Sequence, residues 1–299
     1  MKKLALSIFA GLILSFSAAS SSFAITFLPD PNTIIAPGET IALLHDDFYA
    51  YSAPLNTLLG YEGFDESTGT GGLDVLIYSG AVGQDNNPVG GGFIFEDPLV
   101  APSGSATDFQ GVWGAGLGTD GPVLVDNLYN YLDTVFGVSI PVFSFDMNQA
   151  KGQGIDIYVA GEVFLWDPDT STKVKSWALD SIANDVFDAP NQTDITDPKW
   201  VKADGVLNLG PGLEVDHNKG SGRLDYVAYA PTMDLSLYTG KGYQFHADFR
   251  LSGLSGGHEE LFLTGAFAPT PSHAVPEPTS MALFGIGVAG AFIRRKFVG

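Results

Sequence analysis

The chain has 299 residues, with 14 Lys and Arg against 34 Asp and Glu, a formal net charge of −20 and no cysteine. Without cysteine there is no disulfide, no Cys-ligated metal and no thiol nucleophile. So large an acid excess argues against nucleic acid as a partner, because phosphate binding needs clustered Lys and Arg. Hydrophobic residues at 45% are enough for a packed core.

Met1-Lys2-Lys3 is a basic start, Leu4 to Phe16 is apolar, and Ser22-Phe23-Ala24 places small residues at the minus-three and minus-one positions. That order predicts a secretory signal peptide over residues 1–24, cut after Ala24, with an earlier site near Ala19 as the alternative. The apolar run is short for a permanent membrane span.

Strand-like runs dominate the body, residues 25–274. Leu73–Tyr78, Gly92–Phe95, Ile140–Phe145, Ile155–Val159 and Val163–Trp166 read as strands, and Asp167-Pro168-Asp169-Thr170 reads as the turn of a hairpin leading into Val174–Leu179. Val206–Leu209, Leu224–Tyr229, Tyr243–Phe249 and Glu260–Leu263 follow. Between them Leu124, Leu128, Tyr131, Leu132 and Val135 recur at helical spacing, with Pro122 at the start and Gly137 at the end. Many short strands with one short α-helix, at about 122–136, predict a mainly β, jelly-roll-like β-sandwich. Two β halves divided near Asp188-Ala189-Pro190-Asn191 are the alternative.

Several motifs in the body match known chemistry only in part. Gly253-Leu254-Ser255-Gly256-Gly257 has the nucleophile-elbow pattern, but too little chain follows it to build that fold, so a hairpin loop is expected. Gly116-Leu117-Gly118-Thr119-Asp120-Gly121 resembles a dinucleotide fingerprint, but the segment before it is polar and no βαβ series follows. The five histidines, His45, His217, His246, His258 and His273, have no zinc spacing. Adjacent carboxylates such as Asp46-Asp47, Glu96-Asp97 and Glu259-Glu260 point to opposite faces of a strand, so adjacency does not make a glycosidase pair. No catalytic residue is therefore assigned. Asp216-His217-Asn218 and Asp167-Pro168-Asp169 set oxygen ligands at alternate positions. A turn is the ordinary reading of both, and calcium is the ion that Asp216, Asn218, Asp167 and Asp169 would suit. Trp113, Trp166, Trp177 and Trp200 could stack on sugar rings, although Trp166 and Trp177 sit in apolar runs that suit a core.

The C-terminal end reads Val275-Pro276-Glu277-Pro278-Thr279-Ser280, then thirteen uncharged residues from Met281 to Ile293, then Arg294-Arg295-Lys296. As a helix the uncharged stretch rises about 20 Å, short of the hydrocarbon core but able to serve as a transient anchor. The basic cluster would stay in the cytoplasm and stop transfer. A Pro-Glu-Pro motif, a short apolar helix and a terminal basic cluster resemble the tail of PEP-CTERM proteins, the exported substrates of exosortase. The resemblance covers residues 275–299. It implies recognition at Val275, Pro276, Glu277 and Pro278, removal of the tail, and a place at the cell surface or outside the cell, with exosortase and the secretion machinery as partners. It further implies an association with exopolysaccharide and biofilm, and a matrix role that is more simply non-enzymatic. The segments around Val142–Leu179 and Asp248–Leu263 also resemble a recurring body of such proteins, which brings no activity with it. A secreted polysaccharide-active enzyme and a calcium-assisted glycan-binding module are the competing readings.

With both ends set aside, the body keeps nine basic and 33 acidic residues, and none of residues 25–150 is Lys or Arg. Such a surface repels anionic polymers unless cations bridge them.

Overall fold

The structure is a computed structural model that describes residues 25–64, 74–81, 83–101, 108–117, 120–147, 156–208, 214–217, 223–254 and 259–270. The strands, in chain order, are β1 (Thr26–Leu28), β2 (Ile34–Ala36), β3 (Glu39–Thr40), β4 (Ala42–His45), β5 (Phe48–Ser52), β6 (Val75–Ser79), β7 (Leu99–Val100), β8 (Asp108–Trp113) and β9 (Val142–Asp146). They continue as β10 (Ile157–Asp167), β11 (Thr172–Leu179), β12 (Val201–Ala203), β13 (Val206–Asn208), β14 (Glu214–Asp216), β15 (Tyr226–Tyr229), β16 (Gln244–Ser252), β17 (Glu260–Thr264) and β18 (Phe267–Pro269). Two main sheets result, a seven-stranded one ordered β4-β5-β15-β9-β17-β6-β7 and a five-stranded one ordered β11-β10-β16-β8, with β12 also paired to β10.

The sheets face each other across a core of large side chains. Phe143 and Phe145 of the first sheet meet Phe249 of the second, with ring centroids 5.8 and 6.0 Å apart. Trp113 and Trp177 are fully enclosed beside them. Gly161 of β10 makes this packing possible: a Cβ there would lie 2.4 Å from the Phe249 ring. Residues on both sides of Asp188–Asn191 contribute to this one core.

The seven-stranded sheet is also covered on its outer face. Val142, Val227, Tyr229, Tyr51 and Phe262 point outward from it into a second cluster with Leu28, Ile41, Phe64, Leu224 and Phe267. The segments that supply this cover begin with β1, which pairs in parallel with β18. All five residues of β9 are consequently buried, as are all five of β6. A strand covered on both sides needs no polar alternation, which is why β6 is apolar from Val75 to Tyr78, whereas β9 buries Ser144 and Asp146 between its apolar residues.

The helix expected at about 122–136 is observed as α2 (Val125–Tyr131), continued by a wide π turn over Leu132–Phe136 and ended by Gly137 in the left-handed region at φ 71°. It starts three residues late because Val123 is already engaged: its N–H bonds to Gly114 O and its carbonyl accepts from Phe245 N. A second helix, α1 (Ala53–Leu58), is absent from the sequence reading. Its signals are Ser52, whose hydroxyl accepts from Leu55 N at 3.1 Å, and a proline in its first turn. Where a strand is expected at Gly92–Phe95 there is a tight 3-10 turn, Gly90–Gly92, closed by a bond from Gly92 N to Val89 O and followed by an isolated bridge in which Val89 N donates to Phe93 O.

Candidate functional site

Strict alternation along β10 sends Val159, Gly161, Val163 and Leu165 into the core and leaves Tyr158, Glu162, Phe164 and Trp166 on the other side. Along β16 the inward set is Phe245, Ala247, Phe249 and Leu251, and the outward set is Gln244, His246, Asp248 and Arg250. Antiparallel register then places Glu162 opposite Asp248, Phe164 opposite His246, Trp166 opposite Gln244 and Ala160 opposite Arg250. These residues are far apart in sequence and form one continuous outer face.

The face is half aromatic and half charged. Trp166 stacks on His246 at 6.3 Å and 21°, and Phe164 tilts against the same imidazole at 4.8 Å. Lys173 is ion-paired with Glu162 and lies 4.4 Å over the Phe164 ring. Arg250 Nη2 sits 3.8 Å from Asp248 Oδ2, and its guanidinium lies 5.3 Å over Phe187. The side chains of Glu162, Asp248 and Arg250 are only 11%, 16% and 18% exposed. Burial is the main cause that raises the Asp248 carboxyl above its ordinary range, with Glu162 adding to it and Arg250 opposing. Burial, with Lys173 nearby, pushes His246 down to about 4, so its imidazole is neutral at pH 7. Asp248 Oδ1 and Arg250 Nε have no hydrogen-bond partner among the described residues.

The segment from Ser181 to Trp200 flanks this face, and carboxylates fix its shape. Asp180 accepts from Ile182 N and Asp188 N, Asp46 accepts from Asn184 N and Asp185 N, and Gln192 donates to Phe109 O. The face can therefore offer an uncharged polyhydroxylated ligand three things: apolar ring surface at Trp166, acceptors at Glu162 and Asp248, and a donor at Arg250.

The structure also locates the sequence motifs. Trp177 lies in the core as expected, whereas Trp166 lies on this outer face, because β10 keeps its alternation in continuous register with β16 as far as Trp166, while its pairing with β11 shifts between Leu165 and Trp166. Asp167 holds its own turn, accepting from Asp169 N, Thr170 N and the Thr170 hydroxyl, while Asp169 is exposed on the turn. Asp216 ends β14 some distance along the chain from that turn, and Asn218 lies outside the described residues. Among the described residues no group of three or more His, Asp or Glu is arranged to hold a metal ion. The fingerprint-like loop is used internally: Gly114 N, Gly116 N and Leu117 N all donate to the buried Glu96 carboxylate. The backbone donors at Gly114, Gly116 and Leu117 are thus filled by the chain's own anion. Sequence reasoning also missed the buried contact of Ser52 Oγ with His217 Nε2 at 2.7 Å. Its only sequence signal is the helix-cap pattern around Ser52. Ala24, Val275, Pro276, Glu277, Pro278, Arg294, Arg295 and Lys296 lie outside the described residues.

No curated protein and no solved structure matches the chain. The PEP-CTERM protein-sorting motif matches residues 274–296, so the chain is an exosortase-sorted protein, exported to the cell envelope or surface. A second family model, described as a domain of unknown function (DUF8239), matches residues 28–250, and the chain belongs to that family.

Proposed function

We propose that the protein is a non-enzymatic component of the cell surface or extracellular matrix that binds neutral polysaccharide through the outer face of its five-stranded sheet. The observation that carries this reading is the Trp166–His246–Phe164 platform set beside Glu162, Asp248 and Arg250. Aromatic planes suit the C–H faces of pyranose rings, and half-buried carboxylates and a guanidinium suit their hydroxyls. The acid excess of the body favours an uncharged polymer over an anionic one. In this reading the exported chain is cut after Ala24 and again near Pro276–Pro278, leaving the body outside the cell in contact with exopolysaccharide.

The test is retention of the secreted protein on a panel of neutral and anionic polysaccharides. Retention on a neutral polymer, reduced at least tenfold in Trp166→Ala, supports the reading; no retention on any polymer defeats it. One observation favours the enzyme alternative: Asp248 carries a raised pKa directly opposite a second carboxylate. Release of oligosaccharides from a retained polymer, lost in Asp248→Asn, would replace binding with hydrolysis.

A further inference from the structure

A second site lies inside the sandwich, at the end away from β7 and β8. There several of the facing side chains are small. Ala50 and Ala228 project from the seven-stranded sheet, and Val159, Val201 and Ala203 project from the five-stranded one. The result is an unfilled cleft of about 110 Å³, walled further by Phe145, Met147 and Leu179. Natural cores leave few voids larger than a water molecule. An engineered apolar cavity of about 150 Å³ stays dry and takes up benzene, so a void of this size and lining suits an apolar guest rather than water.

The cleft is partly open, so a guest can be longer than the void. Leu43 is on the rim and is 55% exposed, with Ile35 and Leu207 beside it. Around the rim stand Glu39, Thr40, His45, Lys202 and Asp204. The lysine does not make this rim cationic, because Nζ is held by Asp156 at 2.9 Å and Asp204 at 2.6 Å. The rim is therefore net acidic and disfavours an anionic head group. Ser52, also on the wall, already donates or accepts with His217 and caps α1.

We propose that this inter-sheet cleft binds a single aliphatic chain with an uncharged polar head. The methylenes lie between Ala50, Ala228 and Ala203, and the head hydrogen-bonds at the rim. The site is separate from the outer sheet face, and it stands whether or not that face binds polysaccharide. The probes are 1-octanol and octanoate, titrated into the purified secreted protein and followed by native mass spectrometry and thermal unfolding. One bound 1-octanol per chain with a raised Tm is expected, with octanoate binding at least tenfold more weakly. Ala228→Leu should fill the void, leave the ligand-free Tm equal or higher, and weaken 1-octanol at least tenfold. If Ala228→Leu does not fold, Ala50→Val serves the same purpose with a smaller added volume. Failure of 1-octanol to bind the parent protein, or unchanged binding in the folded filled variant, overturns the proposal. Equal binding of octanoate overturns the uncharged head group.

Discussion

The two sheets of this molecule are built on the same inner faces and differ on their outer ones. The seven-stranded sheet is roofed by β1, β18 and the segments around Phe64 and Leu224, and its outer residues form a second core. The five-stranded sheet carries Trp166, Phe164, Glu162, Asp248 and Arg250 on its outer face, beside the Ser181–Trp200 segment. Burial of aromatic surface on the first sheet contributes to stability, whereas partly exposed aromatic and charged groups on the second contribute little to it and are available to a ligand. Both inner faces hold the fold, and the proposed function divides the outer ones: that of the seven-stranded sheet adds to the core, and that of the five-stranded sheet carries recognition.

Substitutions should separate these roles by size of effect. Trp177→Ala removes a side chain that is fully enclosed between the sheets and whose Nε1 donates to Thr232 Oγ1. A loss of about 3–5 kcal/mol is expected in urea unfolding. Phe262→Ala, on β17 under the roof of the seven-stranded sheet and 5% exposed, should cost about 3 kcal/mol; a cost under about 1 would mean that this outer face is not a second core. Glu96→Gln leaves Gly114, Gly116 and Leu117 without their full anionic acceptor, and about 1–3 kcal/mol is expected, read by the same unfolding.

A smaller effect concerns pH. Burial pushes the Asp74 carboxyl from 3.8 up to about 6, against a hydrogen bond with Thr264. The folded state favours the protonated form, so the contribution is fully present below the unfolded value and is lost as pH rises through about 6. Asp74→Asn lacks that loss, and its Tm relative to the parent should climb between pH 4 and pH 7. A constant difference across this range would contradict the assignment. The smallest effect on stability belongs to Trp166→Ala on the open face, expected within about 1 kcal/mol of the parent.

The same contrast explains what could be read from the sequence. β11 and the Asp-Pro-Asp-Thr turn were legible as local signals, whereas β10 read as two strands parted at Gly161 and is one strand through it, because Gly161 is where Phe249 packs against the sheet. β8 was not legible: Asp108 and Gln110 make its start look polar, whereas they alternate outward with Phe109 inward, and Gly111, against which Leu99 packs, adds no strand signal. β4 was hidden because Leu43 and Leu44 are both exposed, so no buried face marks the strand. The candidate site was invisible for another reason. Glu162 and Asp248 are neighbours only through the register of β10 on β16, which no local pattern encodes. Much of the acid excess also proved to be loop construction. Asp46, Asp167, Asp180, Asp194, Asp197 and Asp234 each accept backbone N–H groups in turns or loops, and of these only Asp167 had been read as a calcium ligand.

The most direct measurement is to compare Trp166→Ala with the parent secreted protein for Tm and for retention on neutral polysaccharide, side by side. The division of labour between the sheets predicts a Tm changed by no more than a few degrees together with retention lowered at least tenfold. Unchanged retention, or a Tm loss as large as that of Trp177→Ala, would contradict it.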